Sequence, residues 1–403
     1  MQTAAPHTST PHTADGWYAA GQAAALNPSA ANWRQLGETY RQAGHVEAAS
    51  LAFDQASSKV RLLGQPLLPD PACRPPLARL EPASGLLLGT YVAEAGLNRP
   101  DQGVPALQPP APGAAFAAYF RYFTLTAPGQ GEVFPTRFVL AVRAAGGAVH
   151  LAAEPGVPLS QITESYILPF AQAARAAGVP IYLRFAGEMN DPTNAWSRDP
   201  AAYRAAFVRV ANVIHRVAPN VAMVWMPMAP RLENVAAYYP GPGAVDCAGL
   251  SLYSVPFENG QLGRPNLARH PADAIEGFYR QNACTHPVQL SEYAASHRSQ
   301  AAPGRDFTAF AVQQMREVYW GAMLHFPRLK NINWLDLDMS AAPGVNKEAM
   351  HLKDTVHLKN TVRLNDYRLY AVPAKLEVLR EVLDEPYFQA RHSARRTLRA
   401  PSG

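Results

Sequence analysis

Short apolar runs alternate with amphipathic stretches along most of the chain. The apolar runs cover residues 86–93, 116–123, 148–155, 181–188, 221–228, 247–254, 287–294 and 332–339. The stretches between them, such as residues 162–178 and 199–219, repeat apolar residues at the spacing of a helix that buries one face. Eight strand-plus-helix units predict an α/β protein with a (β/α)8 TIM barrel over residues 86–388. The second run also fits a helix, because its aromatic residues suit either element.

A different pattern precedes the barrel. Residues 33–56 have the spacing of two antiparallel helices with small residues where they cross. The positions that resemble a tetratricopeptide repeat are Trp33, Leu36, Gly37, Tyr40, Gly44, Ala49, Phe53 and Ala56. A single unit does not form a stable array, since such repeats need about three units. We therefore expect this helical repeat segment to pack against the barrel, and the alternative is a groove that binds a protein partner.

Composition divides the chain into five parts. Residues 1–15 are rich in Thr, His and Pro and are predicted to be disordered. Residues 16–62 form the tetratricopeptide-like segment, residues 63–85 a proline-rich linker, and residues 86–388 the barrel. Residues 389–403 contain Arg391, Arg395, Arg396 and Arg399 and are predicted to be a solvated basic tail.

The overall charge excludes several classes of partner. The net charge is +5, but charged residues make up only 17% of the chain, below the roughly 25% typical of globular domains. Basic and aromatic residues are not interleaved, so we expect no nucleic-acid binding. The sequence contains no run of 18 apolar residues, so we expect no membrane span. The amino terminus lacks the basic start and apolar centre of a secretory signal, which predicts a cytoplasmic protein as written, or an exported one if the sequence is trimmed.

Cysteine and histidine are too scattered to predict a metal site or a disulfide scaffold. We expect neither a metal nor an organic cofactor. Cys247 opens the sixth predicted strand and Cys284 precedes the seventh, so both fall at the bottom of the barrel on neighbouring strands. A disulfide between them requires their Cα atoms to lie within about 7 Å, and free thiols are the alternative.

Two strands end on a glutamate. Side chains alternate between the faces of a strand, so Arg184 and Glu188 share one face of the fourth strand, and Glu292 ends the same kind of face on the seventh. If both faces point inward, the glutamates meet at the carboxy-terminal mouth, where barrel enzymes carry their chemistry. Two carboxyl groups that flank one bond are what glycoside hydrolysis requires. Taken alone, each glutamate also fits the alternative of an exposed loop residue at the end of a strand.

The environment of the pair suggests different protonation states. A guanidinium inside a barrel is costly unless a carboxylate pairs with it, and Arg184 beside Glu292 would favour the ionised form of Glu292. Glu188 has apolar neighbours in Ala186 and Met189, which would raise its pKa. The sequence therefore predicts Glu188 as an acid and Glu292 as a nucleophile.

Several local motifs resemble glycoside hydrolase family 26, a clan A family of retaining enzymes that includes β-mannanases. They are RFAGEMN at 184–190, VAMVWMP at 221–227, YYPGPGAVDCAGLSLYS at 238–254, PVQLSEYA at 287–294 and FPRLKNINWLDLD at 326–338. The resemblance covers about residues 86–388. It implies Glu188 as acid/base, Glu292 as nucleophile, Tyr253 as a hydrogen-bond donor to the nucleophile, Trp334 as the floor of the sugar site, and Asn190 in support.

Other residues are further candidates for contacts with substrate. Glu154 ends the third strand and is expected to bind a sugar hydroxyl. Trp225 and Trp196 are candidates for further subsites or for packing. The chain departs from the family at Gly187, where related enzymes carry histidine or asparagine, and this leaves mannan specificity open.

The sequence favours a retaining glycoside hydrolase that cleaves a β-linked polysaccharide by two-glutamate double displacement. The alternative is an inactive carbohydrate-binding or scaffold protein of the same fold. Transglycosylation uses the same residues and differs only in the acceptor.

Overall fold

The computed structural model describes residues 12–56, 76–91, 116–126, 129–340 and 364–389. Eight parallel strands form a closed barrel, because the first strand pairs with the second on one side and with the eighth on the other. The strands are β1 (Leu86–Tyr91), β2 (Ala118–Leu125), β3 (Ala148–Pro155), β4 (Ile181–Phe185), β5 (Val221–Trp225), β6 (Cys247–Ser254), β7 (Val288–Ala295) and β8 (Leu329–Trp334). The predicted TIM barrel is confirmed, and all eight apolar runs contain a strand.

Helices cover the outside of the barrel. They are α4 (Thr136–Ala145), α5 (Glu164–Ala177), α6 (Pro200–Val217), α7 (Pro271–Asn282), α8 (Thr308–His325) and α9 (Pro373–Asp384). Their ends follow the local sequence: Asp199 caps the first backbone N–H groups of α6, and α5 ends at Gly178 in the left-handed conformation. Among the helices of the described segments, none combines the length and the apolar composition that a membrane crossing requires.

Three helices precede the barrel: α1 (His12–Leu26), α2 (Ala30–Gln42) and α3 (Val46–Ala56). A Cβ atom at Gly37 of α2 would lie 2.6 Å from the ring of Phe53 on α3, so glycine permits this close crossing. Gly44 adopts φ +79° in the connection between them. Helix α1 includes residues 12–15, which were predicted to be disordered; residues 1–11 and 390–403 lie outside the described residues.

The three helices pack on the barrel, as expected. Trp17 meets the ring of Phe257 edge to face with 5.9 Å between centroids, and the Tyr18 hydroxyl donates to the carbonyl of Asp306 over 2.7 Å. The shared apolar cluster also contains Leu36, Tyr40, Leu267, Ala268, Phe307 and Phe310. The helical pair is therefore present, and its identity as a tetratricopeptide repeat stays a prediction.

The bottom of the barrel corrects two expectations. Residues 76–85, predicted as part of an extended linker, pack beneath the strands: the Tyr182 hydroxyl donates to the Leu80 carbonyl over 2.6 Å, and Glu81 pairs with Arg328. Cys247 is a buried free thiol, so the bridge to Cys284 does not form.

Candidate active site

Glu188 stands on a strained turn after β4. The strand ends at Phe185, and both Ala186 (φ +47°) and Glu188 (φ +53°) adopt the left-handed region that residues with a Cβ atom rarely occupy. The backbone N–H of Glu188 donates to the carbonyl of Met226 over 2.7 Å and fixes the turn against β5. Such conformations cost about 1–3 kcal/mol each and persist where surrounding contacts enforce them. The turn directs the glutamate into the mouth of the barrel.

The loop after Glu188 is anchored by side-chain amide and indole groups. The Asn190 side chain accepts from the N–H of Met228 over 2.8 Å and donates to its carbonyl over 2.9 Å. Trp196 donates its indole N–H to the carbonyl of Gly187 over 2.9 Å. Asn190 is therefore a supporting residue, because its amide is used to hold the loop, whereas Trp196 also lines the cleft.

Glu292 on β7 is held from three directions. Arg184 forms an ion pair with Oε1, the Tyr253 hydroxyl donates to Oε2, and Tyr122 on β2 hydrogen-bonds the same carboxylate. Charge-assisted hydrogen bonds of this kind are stronger than neutral ones and restrict the carboxylate to one orientation. The structure thus brings together Arg184, Tyr253 and Glu292, three of the site residues that were predicted from the sequence.

Arg184 itself is enclosed by aromatic rings and backbone. Its guanidinium carbon lies 4.8 Å from the ring centre of Phe120 and 5.6 Å from that of Tyr122, within the range of cation–π attraction. Its Nη1 atom lies 3.1 Å from the Met226 sulfur and 3.4 Å from the Ser291 carbonyl. Only 2% of the residue is exposed, so its orientation is fixed before any ligand binds.

Glu188 has a different electrostatic environment from its neighbour. Burial and the nearby charge of Glu292 raise the pKa of Glu188 to about 7, against the opposing effects of the Ser251 hydroxyl and Arg184. The Ser251 hydroxyl donates to Glu188 Oε1. A carboxyl group with this pKa is half protonated near neutral pH, which suits a group that must both give and take a proton.

The two tyrosines remain hydrogen-bond donors across the working pH range. Burial, followed by the charge of Glu292, raises the pKa of both Tyr122 and Tyr253 well above the usual value. Their hydroxyl groups therefore stay protonated and supply hydrogen bonds to Glu292 without adding negative charge.

The two glutamates face a cleft of about 1000 Å³. Glu154 lines it, where the end of β3 meets the mouth, as do Asp191, Glu233 and the loop between β6 and α7. The lining also reaches Glu47 on helix α3. Within the described ranges, no group of three or more His, Cys, Asp or Glu side chains is arranged to hold a metal ion.

Two predicted substrate-binding tryptophans do not reach the cleft. Trp334 is 1% exposed, donates its indole N–H to the Tyr367 carbonyl over 3.0 Å and meets the ring of Tyr293 edge to face. Trp225 is 2% exposed and packs against Tyr239 and Phe278. Both lie on the outer face of their strands, among the surrounding helices. The expectation that they contact sugar is corrected, because strand alternation turns them away from the interior.

Ser251 and Tyr122 were missed from the sequence. Ser251 lies two residues before Tyr253 on β6, so alternation along the strand places both side chains on the inner face. Tyr122 belongs to the second apolar run, which was predicted as a strand but also fitted a helix, so the sequence did not fix the orientation of its side chain. The contacts of both residues join strands far apart in sequence.

Comparisons with known proteins show what the chain is similar to. No family model matches the chain, and no curated protein matches it. Solved structures that are similar include a family 26 β-mannanase from Bacteroides ovatus (11% identity, 76% of this chain and 90% of that chain, TM-score 0.46). An endo-β-1,4-mannanase catalytic domain from Bacillus sp. JAMB-750 (15%, 77% and 89%, 0.49) and a modular endo-β-1,4-mannanase from Cellulomonas fimi (14%, 78% and 77%, 0.49) are also similar. At these identities the likeness is one of fold alone: the chain is a (β/α)8 barrel similar to family 26 mannanases.

Proposed function

We propose that the protein is a retaining glycoside hydrolase that cleaves a β-linked polysaccharide with Glu188 as acid/base and Glu292 as nucleophile. The observation that carries the proposal is the unequal environment of two neighbouring carboxyl groups. Glu188 has a pKa of about 7, whereas Glu292 accepts bonds from Arg184, Tyr253 and Tyr122. One group is placed to donate a proton and the other to attack as an anion.

In the first step, Glu188 gives its proton to the glycosidic oxygen while the bond from that oxygen to the anomeric carbon breaks. A carboxylate oxygen of Glu292 forms a new bond to the anomeric carbon, through a transition state with oxocarbenium character. The leaving sugar departs as an alcohol, and a glycosyl ester of Glu292 remains. Tyr253 and Arg184 hold the attacking group in one orientation, which lowers the entropy cost of the step.

The second step follows from the coupling between the glutamates. Once Glu292 is esterified, its negative charge no longer raises the pKa of Glu188, so that pKa falls and Glu188 is present as a carboxylate. That carboxylate takes a proton from water, whose oxygen attacks the anomeric carbon and releases Glu292. The anomeric configuration is inverted twice and therefore retained.

Gly187 leaves the identity of the sugar open. A Cβ atom there would lie 3.0 Å from the Met226 methyl group, so the methyl group occupies the space that a side chain would enter. The resembling family carries histidine at this position, and its contact with substrate has no counterpart here. We therefore propose no single sugar, and the substrates to test are β-mannans, β-glucans, xylans and bacterial exopolysaccharides.

The test compares the wild-type protein with Glu188→Gln and Glu292→Gln by the release of reducing ends from each polymer. We expect the Glu292 variant to lose activity by a factor on the order of 10⁴ and the Glu188 variant by about 10²–10⁴. Glu276→Gln on helix α7, which removes a glutamate that pairs with Arg280 on the same helix, is the matched control.

The stereochemistry of the first product, followed by NMR, separates the mechanisms. A product with retained configuration supports the double displacement, and an inverted product contradicts it. If no polymer is cleaved and all variants bind glycan equally, the protein is a carbohydrate-binding protein of this fold.

A further inference from the structure

The cleft extends from the two glutamates to the helices that precede the barrel. Its lining includes Glu188 and Glu292 at one end and Glu47 of helix α3 at the other. Between them lies the loop that joins β6 to α7, residues 255–270, which contributes Glu258, Asn259, Gly260, Gln261, Arg264, Asn266 and Arg269 to the lining. Helix α3 is thus part of the wall of the same cavity.

The helices also hold this loop in place. A Cβ atom at Gly21 of α1 would lie 2.5 Å from the Leu267 side chain, so the loop inserts closely against α1. Gln55 of α3 donates its side-chain amide to the Ala268 carbonyl over 3.3 Å. Trp17 covers the ring of Phe257 at the start of the loop. These contacts fix a segment of 16 residues that would otherwise be a surface loop.

The polar groups at this end of the cleft are balanced in charge. Glu258 pairs with Arg264 over 2.8 Å and with Arg269, and Arg269 reaches Glu47 over 3.9 Å. Two guanidinium groups therefore face two carboxylates, with the amide of Gln261 beside them. A balanced set of paired donors and acceptors suits hydroxyl groups of a neutral sugar better than it suits a charged one, for which one sign would be in excess.

We infer that helix α3 and the β6–α7 loop, which α1 and α3 hold in place, form a distal subsite that binds neutral hexose units of the substrate away from the cleaved bond. The inference rests on the proposed function, since it takes the cleft as the path of a glycan chain. In this proposal the helical segment takes part in substrate recognition and does not serve to dock a separate protein. Binding energy from remote units is then used to position the bond between the two glutamates.

The test uses the full-length protein and β-1,4-linked manno-oligosaccharides from the disaccharide to the hexasaccharide. Gln261→Ala and Arg264→Gln alter the loop, and Glu47→Gln alters the helical wall. Glu38→Gln is the matched control, because Glu38 also lies in the helical segment but pairs with Arg41 and is not part of the described cleft lining.

We expect each cleft variant to lower kcat/KM for the hexasaccharide about three- to tenfold, the value of one hydrogen bond, and to leave the disaccharide unchanged. An equal loss at every chain length, or the same loss in Glu38→Gln, would overturn the inference.

Calorimetric titration with the same oligosaccharides separates this inference from the proposed reaction. If no sugar is cleaved but the cleft variants bind the hexasaccharide more weakly than wild type and Glu38→Gln do, the distal subsite stands and the hydrolase proposal fails. Equal affinity in all proteins, no measurable binding, or tighter binding of oligogalacturonate or chitosan oligomers overturns a subsite for neutral hexoses.

Discussion

Both ends of the barrel contain a buried arginine paired with a glutamate, but only one end has the features of a site. At the bottom, the Arg328 Nε and Nη2 atoms lie 3.1 and 3.0 Å from the two carboxylate oxygens of Glu81, and Nη1 donates to the Ala283 carbonyl over 2.7 Å. At the mouth, Arg184 pairs with Glu292, and a second carboxyl group, Glu188, lies in the same field. Below, the glutamate lies in the field of a second cation, Lys330, whereas above one cation faces two carboxyl groups.

The difference shows what separates a structural ion pair from chemistry. A buried charge that is paired and fully hydrogen-bonded fixes a fold and has no reason to exchange protons. The mouth contains a surplus carboxyl group with a pKa of about 7, a strained backbone beneath it and a cleft of about 1000 Å³ in front of it. It is the surplus group, and not the buried charge, that indicates function.

The largest effect should come from breaking each pair in turn. Arg184→Gln and Arg328→Gln each leave a buried carboxylate without its cation, and we expect each to lower the free energy of unfolding by about 3–5 kcal/mol in urea denaturation. Only the Arg184 variant should also lose activity, by about 10²–10³-fold, because it removes a preorganised contact to the nucleophile.

Two further variants keep this comparison decisive. Arg184→Lys retains the charge but not the planar fork, so it should fold and still be less active than wild type. The double variant Glu81→Gln/Arg328→Met should regain most of the stability lost by Arg328→Gln. Activity lost in Arg328→Gln beyond its unfolded fraction would contradict the division between the two ends.

A smaller effect is expected from Tyr253→Phe. This change removes one hydroxyl donor to Glu292, and a hydrogen bond to a charged group contributes about 1.5–3 kcal/mol, which corresponds to roughly 10–100-fold in kcat/KM. Tyr166→Phe is the control, since that hydroxyl donates to the Leu125 carbonyl and not to a carboxylate. Equal losses in both variants would mean that Tyr253 acts through folding alone.

The smallest effect concerns pH. The Ser251 hydroxyl favours the ionised form of Glu188, so Ser251→Ala should raise the pKa of Glu188 above its value of about 7. Because the acid must be protonated to donate, activity falls as pH rises through that pKa, and the alkaline limb of kcat/KM should move to higher pH. The control, Ser254→Ala on the same strand, should leave the alkaline limb of kcat/KM at its wild-type pH. An alkaline limb that moves to lower pH in Ser251→Ala would show that the Ser251 hydroxyl does not act by favouring the ionised form of Glu188.

The sequence predicted the barrel because its strands and helices follow from local periodicity, and alternation within β4 places Arg184 on the inward face. It does not by itself place the two glutamates: Glu188 lies beyond the end of β4 on a left-handed turn, and an irregularity in the pairing of β6 with β7 after Leu290 brings Glu292 inward. The rule of alternation would have placed Trp334 and Trp225 outside: Asn333, inside the barrel, precedes Trp334, and Val224, also inside, precedes Trp225. At Trp334 the resemblance to a family outweighed the strand pattern, and for Trp225 packing was already an alternative.

Other features depended on contacts between distant parts of the chain. The pairing of Glu81 with Arg328 joins a proline-rich segment to the turn that precedes β8, across 247 residues, and composition alone predicted only an extended linker. Ser251 and Glu188 belong to different strands, so the sequence contains no sign that one donates to the other. The left-handed backbone at Glu188 arises from its neighbours, since glutamate does not favour it.

The contact between Tyr18 and Asp306 joins residues 288 positions apart in the chain. The two sides of this contact are therefore translated at different times. Helix α1 is made before the barrel, but Phe257, which covers Trp17, follows the sixth barrel strand, and Asp306 and Phe307, which contact Tyr18, follow the seventh. During that interval the apolar faces of α1 and α2 have no native surface to bury them. We expect chaperone dependence to be concentrated in this interval, and a barrel expressed without its helices to aggregate through Phe257, Leu267 and Phe307.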